Sequence, residues 1–105
     1  MFIAITRTGD VELQDSANFR AFKIVDRSGK GVSELAALLD GLATLTPDGA
    51  AAWVDPSAVP KLLPVAPTAE WQTSFDSMLA SAKKFGWVDE ATGAVRAHIE
   101  RAKVA

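Results

Sequence analysis

Between Thr68 and Gly86 the apolar residues recur at helical spacing, and no other stretch constrains the fold as tightly. Trp71, Phe75, Met78, Leu79, Ala82 and Phe85 are separated by four, three, one, three and three positions. That rhythm lines one side of a helix over about 69–85 and leaves the other side polar. Thr68 stands where a hydroxyl caps the first turn, with Glu70 just inside it. Lys83 and Lys84 fall in the last turn, where cations oppose the negative helix end. Gly86 is the predicted left-handed stop, after which Trp87 is expected to pack back over Ala82. An amphipathic helix of this kind must cover another layer, and the rest of the chain has to supply it.

The flanking stretches read as strands. Three turns share one chemistry, a small hydroxyl residue before a glycine: Arg7-Thr8-Gly9-Asp10, Arg27-Ser28-Gly29-Lys30 and Ala91-Thr92-Gly93-Ala94. The first joins Phe2–Thr6 to Val11–Gln14 as a hairpin, and the third joins Trp87–Asp89 to Val95–Glu100. Phe19–Val25, rich in aromatic and β-branched residues, is a further strand introduced by the Asp15-Ser16-Ala17-Asn18 turn. Residues 95–101 fit either an alternating strand, with Val95, Ala97 and Ile99 on one face, or a helix. The Thr92-Gly93 turn favours the strand.

The second glycine turn opens a helix instead. Ser33 is the expected N-cap, Glu34 complements the helix end, and Val32, Leu35, Leu38, Leu39, Leu42 and Leu45 share a face. This helix is expected over about 33–45, weakened by Gly41 and ended by Pro47-Asp48-Gly49. Every proline lies between 47 and 67, which stiffens that segment and suits it poorly to a central strand. Ala50–Val54 reads as a short strand or a helical turn, and Pro56–Leu63 as one short helix.

The chain of 105 residues is therefore expected to be a single α+β domain over 1–105. Its mostly antiparallel sheet of four to five strands is covered by two main helices, about 33–45 and 69–85. Leu35, Leu38, Leu39, Leu42, Phe75, Met78 and Leu79 are the expected filling of the covered face.

The absence of cysteine removes disulfides and thiolate chemistry, and the single histidine cannot build a zinc site. No metal or cofactor is expected. The apolar run at Phe2–Ile5 is too short for a signal peptide or a membrane span, so a cytoplasmic, non-membrane protein is the default expectation. The net charge is −2, unevenly spread: residues 31–80 carry −5 and residues 81–105 carry +2. An overall negative charge argues against a general nucleic-acid binder. A winged-helix comparison, with 69–85 as recognition helix and the following hairpin as wing, is weakened further by Asp76 at the centre of the outward face.

Few residues carry candidate chemistry. His98, flanked on one strand face by Arg96 and Glu100, is the one weak acid–base candidate. Trp53, alone among alanines in the proline-rich segment, is a candidate aromatic at an interface or pocket mouth. Lys30, in Gly29-Lys30-Gly31 before a helix, could help hold an anion, although the phosphate-loop motif itself is absent: Ile24 stands where its first glycine belongs. Trp71 and Trp87 read as core residues. Abundant apolar surface beside few catalytic groups points to a small non-catalytic accessory or interaction domain that self-associates, most simply as a homodimer. The alternative is a small-molecule binding protein or modest enzyme using the Arg96, His98, Glu100 face near Trp53.

Overall fold

The computed structural model of the chain describes residues 1–101, and within them the fold is α+β. Phe2–Ile5 (β1) and Val11–Gln14 (β2) form the first hairpin. Lys23–Asp26 (β3) runs parallel to β1, and Val95–Arg101 (β6) runs parallel to β3. Ala43–Leu45 (β4) and Ala51–Val54 (β5) form a second hairpin that pairs antiparallel with β6. The sheet has six strands in the order β2-β1-β3-β6-β5-β4. It is mixed, with three antiparallel and two parallel pairings and one strand more than the four to five expected, because the chain reaches β3 and β6 by crossing over rather than by tight turns.

The sheet gains its sixth strand where a longer helix was expected. The first helix, α1, is only Val32–Leu38, and its N-cap is Gly31 rather than Ser33, with no side-chain cap bond. The chain turns away at Gly41, whose φ of +81° is cheap only for glycine and cannot continue a right-handed helix. Residues 43–45, read in sequence as the helix end, then enter the sheet as β4. Leu42 still reaches the core, because the turn aims it there. Pro47-Asp48-Gly49 consequently closes the β4–β5 hairpin. The Thr46 amide donates to Ala51 O at 2.9 Å, and the Thr46 hydroxyl donates to the Asp48 carboxylate at 2.6 Å. Ala51–Val54 is a strand, and the expected short helix after it is a 3-10 turn, Val59–Leu62, that lies beside β2. The Phe19–Val25 strand is also shorter than expected, beginning only at Lys23.

The second helix, α2, spans Ala69–Lys84. The Thr68 hydroxyl accepts from the Trp71 amide at 3.0 Å. At the far end Gly86 has φ +76°. The Trp87 amide donates to Ala82 O at 3.0 Å and the Gly86 amide to Lys83 O at 3.1 Å. Those two bonds satisfy carbonyls that would otherwise be left open, in the pattern of a Schellman ending.

Strand pleating sorts side chains onto two faces. One face carries Ile3, Ile24 and Ile99 as a single row across β1, β3 and β6, with Ala97 and Ala52 in the next rows. Both helices and the 3-10 turn cover that face. Leu35, Leu39, Val59 and Phe75 join the isoleucines in one buried cluster, with Leu38, Met78, Leu79 and Trp71 packed partly against it. Burying Phe75, which is 1% exposed, is worth about 2–3 kcal/mol in transfer free energy. Asp26 is the one charged residue among the buried set. Its carboxylate accepts from the Ser28 amide and hydroxyl at 2.9 and 2.6 Å and lies 3.6 Å from Arg101. Among the described residues no helix is long and apolar enough to cross a membrane.

Candidate functional site

The opposite sheet face is where the expected site residues project. Register alone places them: Thr44, Trp53 and Arg96 are cross-strand neighbours in one row, and Lys23, His98 and Ala51 in another. Arg96, His98 and Glu100 are exposed while Val95, Ala97 and Ile99 are buried, so the alternation read from the sequence is the observed one. Among the described residues no hydrogen bond or ion pair joins the three to one another. Glu100 accepts a hydrogen bond from Lys23 Nζ at 2.8 Å, and that bond holds its carboxyl below the usual carboxylate range. Lys30 is likewise engaged, with its Nζ 3.8 Å from Glu34 in the first turn of α1.

Arg96 and His98 do line a common hollow of about 340 Å³, with Phe22, Ala50, Ala51 and Trp87 around them. Neither Trp53 nor Glu100 belongs to it. Trp53 is half-buried and lines a separate groove of about 500 Å³, beside Thr44, Asp40, Asp55 and Asp89. The Asp55 carboxyl is held low there by the hydroxyl and amide of Ser57. The structure thus joins two of the four residues grouped from the sequence and separates the others.

A larger cleft, about 700 Å³, lies where the sequence offers no motif. One wall is the second half of α2, presenting Ser74, Ser77 and Ser81 together with Met78, Leu79 and Ala82. The other wall is the segment before β3, Phe19-Arg20-Ala21-Phe22, and the floor includes Val95. The mouth is aromatic. Phe85 and Trp87 stack at 5.0 Å and 26°, with 69% and 51% of their surfaces open. Both depart from the expected packing. Phe85 belongs to the α2 apolar stripe but lies three residues beyond Ala82, the last buried residue of the helix. Trp87, read as a core residue, is carried outward by the left-handed turn at Gly86. Trp71 does reach the core margin, stacking on Phe75 at 4.9 Å and donating from Nε1 to Ser16 O at 2.8 Å.

The small hollow and the large cleft are both bordered by Phe22, Trp87 and Arg96. The charged residues lining the cleft are Arg20 and Arg96, with no acid among its walls. The serines at 74, 77 and 81 recur at helical spacing on one side of α2. That small-residue row, beside an apolar stripe, is the trace in the sequence of a concave wall.

Residue chemistry limits what such a site can do. No nucleophile has a base within hydrogen-bond reach in the cleft, and among the described residues no three His, Asp or Glu side chains are grouped as metal ligands. The hairpin after α2 is reduced to a bridge between Val88 and Val95. Its second arm leads into β6, which lies between β3 and β5, so this hairpin is tied into the main sheet and does not stand out as a wing. Set against protein-family models, curated proteins and solved structures, the chain matches none.

Proposed function

We propose that this chain is a non-catalytic binding domain that takes one small, largely apolar molecule into the cleft between α2 and residues 19–22. The observation that carries this reading is the cleft itself, about 700 Å³. That is the size of a small-ligand site, of the order of 300–1,000 Å³, and such sites combine apolar walls with a few polar groups. Here the apolar part is Phe19, Phe22, Met78, Leu79 and the Phe85–Trp87 pair, and the polar part is a row of serine hydroxyls. A rim of exposed aromatic surface that gains nothing from water is stabilised by a guest that covers it.

The test is a titration with a neutral fluorescent apolar probe, N-phenyl-1-naphthylamine. Saturable enhancement at one probe per chain is expected, and Ser81→Trp, an exposed helix position on the cleft wall, should abolish it by filling the space. Weak, unsaturable enhancement, or enhancement indifferent to Ser81→Trp, overturns the reading.

The openness of Phe85 and Trp87 favours a second reading, in which two copies of the chain cover each other's aromatic rim. Light scattering decides it. A mass that doubles with concentration and returns to monomer in Trp87→Ser supports self-association, and a constant monomer mass removes it.

A further inference from the structure

We infer that the molecule taken by the α2 cleft carries an oxyanion head, carboxylate or phosphate, on an apolar tail, the head being held by Arg96 and Arg20. This rests on the binding role proposed above and adds the chemical class of the ligand.

Charge carries the argument. The chain has 13 acids against 11 lysines and arginines, yet the charged side chains lining this cleft are two arginines. Three other cations are paired with carboxylates: Lys23 with Glu100 at 2.8 Å, Lys30 with Glu34 at 3.8 Å, Arg101 with Asp26 at 3.6 Å. Arg27 lies over the Phe2 ring at 5.8 Å. Arg20 and Arg96 have no carboxylate within ion-pair distance among the described residues. Two guanidinium groups line one cleft that has no carboxylate in its walls, and an oxyanion seated there supplies their counter-charge. Guanidinium is also the side chain best shaped to hold a carboxylate or phosphate through paired N–H donors.

Position fixes the orientation. Arg96 borders both the cleft and the smaller hollow, and His98 adds a ring nitrogen to the hollow. A head seated there leaves the tail to run along Met78, Leu79 and Ala82 under the Phe85–Trp87 rim. The free, monomeric amphiphile is the occupant proposed, because a tail enclosed in a cleft is a tail withdrawn from a bilayer.

The experiment is calorimetric titration of the whole chain with decanoate, decyl phosphate, 1-decanol and decyltrimethylammonium, each below its micelle-forming concentration. Decanoate or decyl phosphate should bind more tightly than decanol by about tenfold to a hundredfold, the worth of a hydrogen-bonded charge pair. Decyltrimethylammonium should bind more weakly than decanol. Whichever anion binds more tightly identifies the head. Arg96→Gln with Arg20→Gln should erase the preference and leave decanol affinity unchanged, with thermal melts confirming that the variant is folded. Decanol binding as tightly as both anions, or a preference that survives the double substitution, overturns the anionic head while the apolar cleft stands. Failure of all four to bind overturns the binding role together with this inference. Binding to phosphatidylglycerol vesicles without binding to monomeric decanoate overturns it in favour of a membrane surface.

Discussion

Helix α2 begins and ends with a stacked aromatic pair, and the two pairs have opposite fates. Trp71 and Phe75 stack at 4.9 Å and 17°, and Phe75 is sealed in the core. Phe85 and Trp87 stack at 5.0 Å and 26° and stand mostly in water. Local chemistry does not separate them. Both pairs follow a helical or cap-like spacing, and both keep ring against ring. The difference is what lies opposite. The first pair meets the isoleucine row of the sheet and Phe19, which approaches Trp71 edge-on at 5.8 Å. The second pair faces the gap between α2 and residues 19–22. Apolar periodicity therefore reports that a helix has an oily side, and the neighbouring layer decides how much of that side becomes core and how much becomes a mouth.

The two aromatic pairs should differ most at Phe75. Phe75→Ala removes a ring enclosed on every side and should cost about 3–5 kcal/mol, read as a loss in chemical denaturation midpoint at unchanged slope. A loss below about 1 kcal/mol would mean that the first pair is no more structural than the second. Trp71→Phe keeps the stacked ring but deletes the Nε1 bond to Ser16 O, and should cost about 1 kcal/mol by the same measurement. At the other end, Phe85→Ala should change stability by no more than about 0.5 kcal/mol, as exposed positions do, yet reduce probe affinity for the cleft. A variant that loses stability instead would place Phe85 in the packing of the fold.

The smallest effect belongs to the open sheet face. The Glu100 carboxyl has its pKa lowered by Lys23, so the folded state keeps this group charged to lower pH than the unfolded chain does. Its contribution is present above the ordinary carboxylate range, near pH 4.5, and is lost as pH falls through the depressed folded value. Both partners are solvated, so the effect is slight. Acid titration of stability should be marginally steeper in the parent chain than in Lys23→Met, and identical curves would show that the pair contributes nothing.

Much of this arrangement is legible in the sequence. The α2 helix, its Thr68 cap and its Gly86 stop follow from residue types within one turn of each end. The alternation along 95–101 is enough to put Arg96 and His98 on one face. Legibility fails where a local signal competes with a distant one. Leu42 and Leu45 continue the α1 periodicity, but Gly41 interrupts the helix and the exposed edge of β5 offers residues 43–45 a ladder of backbone bonds. Trp87 fits a core residue by composition, yet the turn at Gly86 fixes its direction. Trp53, His98 and Glu100 share a face without sharing a cavity, because strand register separates Trp53 from His98, and Lys23 claims Glu100.

Sequence alone determined elements whose causes are local: the Thr68 cap and Gly86 stop of α2, and the alternation along β6. Those are set by sterics and hydrogen bonds that reach only a few residues along the chain. Tertiary structure alone decided that the sheet is mixed, that β4 exists, and that Arg20 and Arg96, 76 positions apart, line one cleft. Such facts depend on which distant surfaces meet, and a pattern of apolar and polar residues says that a face must be covered without saying by what.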